Sequence, residues 1–348
     1  MKRFLASFIC FAFVLSLSAC GGSTGGGADN TTAPAGDTGD GGSTPAETIT
    51  LRASSSTAPT HPYNLGLEKF AELVSERSNG TIKIDIFPSA QLGDERANIE
   101  DLQMGTLDIA VSSTGPLGNF ESSFLILDLP YLFSSYEHAH AVLDGEIGQG
   151  LIDKLDALGI VGGAFWENGF REITNSKRAI NTPEDCKGLK LRCMENQAHI
   201  AAFSALGMDP TPMAWSEVFA ALQQGVIDGQ ENPIAVIYSQ KLYEIQDYLA
   251  ITNHVYSAAM ILFSKSVMEK LTAEQQQILL DASKEVADYE RSLCEDSETE
   301  QIAEMEKAGV TVTYPDITAF QTALEGVYTD FADEFGQENI DAIRNYAY

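Results

Sequence analysis

Residues 213–233 read Met-Ala-Trp-Ser-Glu-Val-Phe-Ala-Ala-Leu-Gln-Gln-Gly-Val-Ile-Asp-Gly-Gln-Glu-Asn-Pro. Trp215 lies at the start of an apparent helix, and Asn232 lies at a strand end that a proline bounds. The segment therefore passes from helix to strand, as the repeating unit of an α/β fold does. It also carries an aromatic ring and a neutral amide, two groups that suit recognition of a small organic acid.

Two arginines lie upstream on short strand-like runs, where a side chain is held on a rigid element. Arg171 belongs to Gly-Phe-Arg-Glu-Ile-Thr-Asn-Ser-Lys-Arg (169–178), and Arg192 ends Lys-Gly-Leu-Lys-Leu-Arg (187–192). A guanidinium is a planar fork that holds a carboxylate through two parallel charge-assisted hydrogen bonds. An arginine on a strand is more often a surface residue or half of a structural ion pair, so composition alone leaves both interpretations open.

Strand-like and helical segments alternate from residue 49 onward. Ile49–Ser54 and Ile82–Phe87 alternate like strands, and Asn64–Ser78 between them has helical spacing. A helix over Glu95–Met104 and a buried strand over Leu107–Val111 continue the series. This alternation predicts an α/β sheet rich in parallel strands, in which ligands bind beyond the carboxyl ends of the strands.

That rule places Ser54–His61, Gly93–Glu95 and Ser112–Thr114 near one wall of a cleft. The apolar run Leu125–Phe133 contains Pro130, which predicts a change from strand to loop.

Later segments are predicted to bring the chain back to its first half and to form one long helix. Ile160–Trp166 is predicted as a strand, and Val255–Ser264 as a crossing back toward the first half. Thr272 and Gln275 have the spacing of a capping box that opens a helix to about Lys307. Such a helix would be about 50 Å long, longer than one small domain.

The whole stretch Thr48–Tyr348 resembles the substrate-binding proteins of TRAP transporters, the tripartite ATP-independent periplasmic family that includes dicarboxylate (DctP-type) and sialic-acid binders. The run over 213–233 is close to that family's signature. The resemblance implies a two-domain α/β fold of the type II periplasmic-binding-protein kind, with a ligand cleft between the domains and a long helix spanning both. We expect residues 48–168 with about 257–295 to form the first domain, and residues 169–256 with about 296–348 to form the second.

The resemblance also implies roles for individual residues. Arg192 matches the arginine that clamps the substrate carboxylate, and Arg171 matches a second cleft arginine. Asn232 matches an amide that bonds the same carboxylate, and Trp215 matches an aromatic ring that covers the ligand. All four are expected on the second domain.

The first domain is expected to supply the opposite side of the site. Glu95 lies where some members place an acid that accepts hydrogen bonds from hydroxyl groups, although a solvated acid in a first helical turn is an equal alternative. His61 and Thr114 are further candidates. Residues 193–196, Cys-Met-Glu-Asn, replace the Val-Pro of other members. That variant resembles members that bind sugar acids, which favours hexuronates over four-carbon dicarboxylates.

The N-terminus has the pattern of an export signal. Lys2 and Arg3 precede the apolar run Phe4–Leu17, which is too short for a permanent membrane span. The run ends in Leu-Ser-Ala-Cys at Cys20, which resembles a bacterial lipobox. We therefore expect a lipoprotein signal peptide over 1–19, acylation of Cys20, and a Gly/Ser/Thr-rich linker over 20–47.

Composition excludes several functions. The chain has 348 residues and a formal charge of −29, which argues against a nucleic-acid partner.

Cys186, Cys193 and Cys294 show no disulfide framework or metal spacing, and we expect them to be small buried residues. His138 and His140 are two residues apart, so on a helix they diverge and cannot chelate together.

The alternatives are a secreted enzyme, a binding protein of an ATP-driven importer, and a lipoprotein sensor for a membrane receptor. No phosphate loop or zinc-protease motif is present in the sequence, and residues 48–348 contain no Gly-x-Ser-x-Gly nucleophile elbow. We therefore expect a monomeric binding protein, without a cofactor, that lies outside the cytoplasm on a lipid anchor. It would capture a small carboxylate and pass it to the small and large membrane subunits of a TRAP transporter.

Overall fold

The computed structural model describes residues 48–348. The predicted signal peptide, the acylated Cys20 and the linker fall in residues 1–47 and lie outside this range. Within residues 48–348, no helix combines the length and the apolar character needed to cross a bilayer.

The strands of the described residues belong to one mixed sheet. Their bounds are β1 Ile49–Ser55, β2 Ile82–Phe87, β3 Ile109–Ser113, β4 Ile160–Asn175, β5 Lys190–Cys193, β6 Asp209–Pro212, β7 Gly229–Pro233, β8 Tyr248–Ala250, β9 Tyr256–Ser264 and β10 Thr311–Thr313.

The helices lie between and after these strands. Their bounds are α1 Pro62–Arg77, α2 Glu95–Met104, α3 Tyr136–Leu143, α4 Glu146–Lys154, α5 Gln197–Ala205, α6 Trp215–Gln223, α7 Ile234–Ser239, α8 Lys265–Met268, α9 Ala273–Lys307, α10 Ile317–Phe335 and α11 Gln337–Arg344.

The strand order β2-β1-β3-β9-β4-β7-β5-β6 divides the sheet into two parallel groups joined by two antiparallel strands. β1 runs parallel to β2 and β3, and β5 runs parallel to β6 and β7. β9 runs antiparallel to β3 and to β4, and β4 runs antiparallel to β7. The prediction of an α/β fold is confirmed, with the parallel strands at both ends of the order.

β4 and β9 form the connection between the two groups. β4 continues to Asn175, well beyond the predicted end at Trp166. Its pairing with β9 shifts register between Glu167 and Gly169, and Gly169 has a φ of +117°. A glycine at this conformation marks a bulge, which bends the strand and increases its twist.

The long helix α9 packs against both groups. A capping box forms between Thr272 and Gln275, as predicted, and the helix ends at Lys307. Its first half packs on α1 through a core that includes Val286, and Met305 near its end belongs to the core beside α7. The prediction of one long helix reaching both halves is confirmed.

The apolar run from Leu125 was interpreted incorrectly in part. The structure forms a 3₁₀ helix over Ser122–Asp128, and the Glu121 carboxylate accepts hydrogen bonds from the backbone amide and the hydroxyl of Ser123 at its start. Residues Phe124 to Leu127 are all buried. A short run that is buried on every side lacks the alternation that separates a strand from a helix. The strand predicted over Leu107–Val111 is likewise displaced by two residues in β3.

Replacing Gly169 tests the bulge. Gly169→Ala would put a methyl group 3.2 Å from the Pro233 Cβ, on a backbone that L-residues rarely adopt. We expect it to lower the free energy of unfolding by about 1–3 kcal/mol in a urea titration. Gly150→Ala is the matched control, because Gly150 faces open space within α4. It should raise stability by about 0.5–1 kcal/mol. Equal effects at both positions would contradict the bulge's role.

Candidate functional site

A small cavity of about 20 Å³, lined mainly by residues with polar side chains, lies between the two parallel strand groups. Its first wall consists of residues on or beside β1, α1, α2 and β3: Ser56, Thr57, Tyr63, Glu95 and Ser113. Its second wall consists of residues on or beside β5, α6, β7 and α7: Arg192, Met194, Trp215, Asn232 and Val236. Asn168 on β4 completes the lining.

The position of the cavity follows from the topology. β1 ends at Ser55, β3 at Ser113, β5 at Cys193 and β7 at Pro233, so the cavity lies beyond the carboxyl ends of parallel strands from both groups. These ends carry backbone groups and polar side chains that the strand ladder leaves free. The predicted location of the cleft therefore agrees with the structure.

Arg192 is buried without a carboxylate partner. Its Nε and Nη2 atoms donate to the Met213 carbonyl oxygen at 3.0 and 2.7 Å, and its guanidinium lies 5.4 Å from the Trp215 ring centroid. Only 4% of the residue is exposed. Burial lowers the pKa of Arg192, an effect that the more distant Glu231 opposes. Among the buried arginines of residues 48–348, Arg171 and Arg291 each contact a carboxylate within 4 Å, whereas Arg192 contacts none.

Arg171 pairs with the chain's own Glu231. Its Nε donates to the Glu231 Oε2 at 2.5 Å and its Nη2 donates to the Glu231 Oε1 at 2.9 Å. Nη2 also donates to the Asn232 Oδ1 at 3.1 Å, while Nη1 is buried without a partner. Arg171 does not line the cavity. Arg171 was expected in the cleft, and in the structure Asn232 lies between it and the cavity.

A buried network surrounds this pair. His254 shares the Glu231 Oε2 at 3.2 Å, and the His199 Nε2 lies 3.1 Å from the Asp128 Oδ1. Burial alone would raise the pKa of Glu231, but Arg171 and the two histidines outweigh it and hold the pKa well below its ordinary value. Burial opposes charge on His199 too, yet Asp128 and Glu231 raise its pKa. The network thus keeps Glu231 ionised.

Asn232 and Trp215 line the cavity. The Asn232 amide is oriented at both ends, because its Oδ1 accepts from Arg171 and its Nδ2 donates to the Gln230 Oε1 at 2.6 Å. Trp215 is the first residue of α6 and is half-buried over Arg192. Asn232 is thus held by residues of β4 and β7, and Trp215 contacts Arg192.

Glu95 faces Arg192 from the first wall. It begins α2, and its carboxylate accepts hydrogen bonds from the backbone amide of Ser113 at 2.7 Å and from the Ser113 Oγ at 3.0 Å. Burial raises the pKa of Glu95, while Ser113 and Arg192 act in the opposite direction. Its alternative interpretation as a solvated helix acid does not fit, because the side chain lies in the cavity wall.

The structure does not place His61 and Thr114 at the cavity. His61 is the N-cap of α1, where its Nδ1 accepts from the Tyr63 amide at 3.2 Å, and burial lowers its pKa to about 3. The Thr114 hydroxyl donates to the Ala258 carbonyl at 3.3 Å. Ser113, the last residue of β3, lines the cavity instead, and the chain has left the strand at Thr114. Neither residue lines the cavity, in contrast to the expectation.

Sequence reasoning missed Tyr63, Asn168 and Val236, and it noted Met194 only as part of the 193–196 run. The Tyr63 hydroxyl and the Asn168 Oδ1 are buried without a hydrogen-bond partner. The Asn168 Nδ2 donates to the Ser257 Oγ at 3.2 Å, which orients the amide. Asn168 directly precedes the Gly-Phe-Arg run, so that motif was a usable signal. Tyr63 gave none, because an aromatic residue at a helix start is normally read as core.

The remaining reactive groups lie elsewhere. Cys186, Cys193 and Cys294 are free and buried, as expected. His138 and His140 do diverge: the first bonds the Ile343 carbonyl, and the second contacts the Glu167 Oε2 at 2.7 Å. Ligand atoms of His140, Glu167 and Glu295 lie within 4.8 Å of one another, which is close enough for a metal ion, but the His140–Glu167 hydrogen bond already accounts for two of them.

Comparison with known proteins settles the family. Residues 53–334 match the family model described as bacterial extracellular solute-binding protein, family 7 (DctP). The chain belongs to the DctP family. It is an extracytoplasmic solute-binding protein of the TRAP transporter type, and not an enzyme.

Relatives within the DctP family are similar over most of their length. A solute-binding protein of Verminephrobacter eiseniae is 43% identical over 303 residues, 87% of this chain and 90% of the relative. The 2,3-diketo-L-gulonate-binding periplasmic protein YiaO of Escherichia coli is 37% identical over 275 residues, 79% and 84% of the two chains.

A solved TRAP periplasmic solute-binding protein from Polaromonas sp. JS666, bound to D-erythronate, aligns with a TM-score of 0.85. It is 42% identical, and the match covers 87% of this chain and all of the other. The two-domain periplasmic-binding-protein fold predicted from the sequence is thereby confirmed.

Removing the Glu231 carboxylate tests the buried pair. Glu231→Gln leaves Arg171 buried without an anion, so we expect unfolding at neutral pH to become easier by about 3–5 kcal/mol. The folded-state pKa of Glu231 lies below its ordinary value of 4.5. The contribution is therefore complete above about pH 4.5 and is lost as the pH falls through the lowered value.

Urea titrations from pH 7 to pH 3 measure the difference between the wild type and Glu231→Gln. The exposed Glu184, paired with Lys187 at 3.9 Å, supplies the control Glu184→Gln, which should change stability little at any pH. A Glu231→Gln difference that stays constant across this pH range would contradict the ionised pair.

Proposed function

We propose that this protein captures a sugar acid, a hexuronate or a related monocarboxylate, through an Arg192–carboxylate clamp. It then delivers the acid to the small and large membrane subunits of a TRAP transporter. Asn232 and Trp215 assist the clamp from the second wall, and Glu95 accepts hydrogen bonds from ligand hydroxyl groups on the first wall. Arg171 acts behind Asn232, where it orients the amide.

The observation that carries the proposal is the unpaired charge of Arg192. A buried cation without an anion is costly, because burial removes hydration that only a partner can replace. Met213 occupies the Nε and Nη2 atoms through one neutral carbonyl oxygen, and a ligand carboxylate beside the guanidinium would add the missing negative charge. The planar fork favours a carboxylate over a less directional anion.

The rest of the cavity favours hydroxyl groups over a second carboxylate. A dicarboxylate requires another cation at its far end, but Arg171 is neutralised by Glu231 and does not line the cavity. The first wall supplies a carboxylate at Glu95 and hydroxyl groups at Ser56, Thr57 and Tyr63. These groups suit the hydroxyls of a sugar acid, which supports that class over a C4-dicarboxylate. The ligands named for YiaO and for the Polaromonas protein are sugar acids too.

Ligand entry requires the two walls to separate. A cavity of about 20 Å³ holds about one water molecule, so even a four-carbon acid exceeds it. We propose that the domains, 48–168 with about 257–295 and 169–256 with about 296–348, close around the ligand as a hinge. The proposed boundary falls at the Gly169 bulge in β4. Closure on the ligand is favoured only by contacts that are better in the closed state, and a ligand bridging Arg192 and Glu95 provides them.

The protein is also proposed to be a monomer and a lipoprotein, and its first residues test the lipid anchor. Leu17 to Cys20 has the lipobox pattern, so mass spectrometry of the native protein should find acylated Cys20 as the first residue. The Cys20→Ser variant, in which the acylated thiol is lost, should accumulate as the uncleaved precursor. A native protein cleaved at another position, with Cys20 unmodified or missing, would exclude the lipid anchor.

A thermal-shift screen against D-glucuronate, D-galactonate, D-erythronate and succinate tests the ligand class. A ligand at one hundred times its dissociation constant stabilises the folded state by about 2.7 kcal/mol, a shift of several degrees. We expect the sugar acids to shift the wild type more than succinate does. A larger shift with succinate than with any sugar acid would reverse the assignment.

Calorimetry with the best acid then tests the clamp. Truncating one partner of a buried charge pair costs about 2–5 kcal/mol, so Arg192→Ala should weaken binding about thirty-fold to several thousand-fold. Arg192→Lys should recover only part, because lysine keeps the charge but loses the fork. Arg344→Ala is the control, since Arg344 also stacks on an aromatic ring, that of Tyr328, away from the cavity. Binding by a folded Arg192→Ala within three-fold of the wild type would rule out the clamp.

A further inference from the structure

Helix α6, which carries Trp215 over the cavity, begins without a cap of its own. Its N-cap residue is Ala214, and no side chain of its own segment accepts a hydrogen bond from its first amides. A methyl group cannot accept such a bond, whereas serine, threonine, aspartate and asparagine can. The first turn of a helix leaves amide groups that require partners.

The partner comes from the opposite wall. The backbone amide of Ser216 donates to the Asp94 Oδ1 at 3.0 Å, and the Ser216 Oγ donates to the Asp94 Oδ2 at 2.6 Å. Asp94 occupies the N-cap position of α2, yet its side chain makes no capping bond to that helix. Asp94 therefore caps α6, although its position in the sequence is that of the N-cap of α2.

We propose that Asp94 is a positioning residue that caps α6 across the cleft and thereby latches the two walls together. Asp94 directly precedes Glu95 on the first wall, and Ser216 directly follows Trp215 on the second. The two hydrogen bonds therefore join the walls directly beside Glu95 and Trp215, two of the proposed ligand-binding residues. A carboxylate at a helix N-terminus is also favoured by the helix dipole. This inference rests on the proposed function, because the latch matters only if the cleft closes on a ligand.

The hydrogen bonds between Asp94 and Ser216 stabilise the closed state independently of the contacts that the ligand makes. When the walls part, α6 loses both its cap and the favourable charge at its N-terminus, so the contact exists only in the closed state. Losing it destabilises the closed, ligand-bound state relative to the open, ligand-free state, so affinity falls. The change should fall on the dissociation rate, because a ligand enters the open state, in which the contact is absent.

A ligand-free experiment tests whether the walls meet. In full-length protein, Asp94→Cys combined with Ser216→Cys should form a disulfide under mild oxidation. Glu100→Cys combined with Ser216→Cys is the control, because Glu100 lies on the same helix and pairs with Arg96 at 3.2 Å instead of Ser216. Equal cross-linking of both pairs, or none of the first, would overturn the proposal.

Stopped-flow binding to the acid of the same panel with the largest thermal shift tests the coupling. Asp94→Ala should raise the dissociation rate about three- to ten-fold and leave the association rate unchanged. Ser216→Ala should raise the dissociation rate about two-fold when Asp94 is present, and should leave it unchanged in the Asp94→Ala variant. Asp94→Asn should recover part of the loss, because one acceptor remains. Glu217→Ala is the matched control, since Glu217 is the acid of the first turn of α6 and does not cross the cleft.

The outcomes separate the two proposals. Additive effects of Asp94→Ala and Ser216→Ala on dissociation would overturn the latch while leaving the ligand assignment intact. Cross-linking of the Asp94–Ser216 pair with no response to any acid in the panel would refute the proposed ligand class, and the contact between the walls would stand.

Discussion

The buried ion pair between Arg171 and Glu231 determines how the rest of the site is arranged. It joins β4 to β7, since both residues are fully buried on adjacent strands. Because Glu231 neutralises Arg171, the second wall presents Arg192 as its unpaired buried cation within the described residues. The same pair orients Asn232, which faces the cavity. One internal carboxylate thus decides which arginine is available for a ligand.

Much of the fold could be predicted from the sequence, because its signals were local. The capping box at Thr272 and the bounds of α2 depend on neighbouring residues and agree with the structure. The extension of β4 to Asn175 could not be predicted, because it depends on pairing with β7, whose partner residues lie 54 to 62 positions away in the sequence. The 3₁₀ helix over Ser122–Asp128 was missed because complete burial removes the amphipathic pattern.

The site was predicted less evenly, and the differences have physical causes. Motif resemblance pointed to four residues that the strand ends bring together in the cavity lining: Arg192, Trp215, Asn232 and Glu95. The role of Arg171 could not be predicted from its own motif, because its partner Glu231 lies in a different part of the sequence. Ser113 lines the cavity and Thr114 does not, because β3 ends at Ser113 and the chain turns into a 3₁₀ helix at Thr114.

The orientation of the cavity groups has a stereochemical consequence. The Arg192 guanidinium is fixed by Met213, the Glu95 carboxylate by Ser113, and the Asn168 amide by Ser257. These three groups come from different parts of the lining and cannot rotate independently of it. A chiral acid bound at all three presents its hydroxyls in one handedness only, so a fixed lining of this kind discriminates between epimers of identical size and charge.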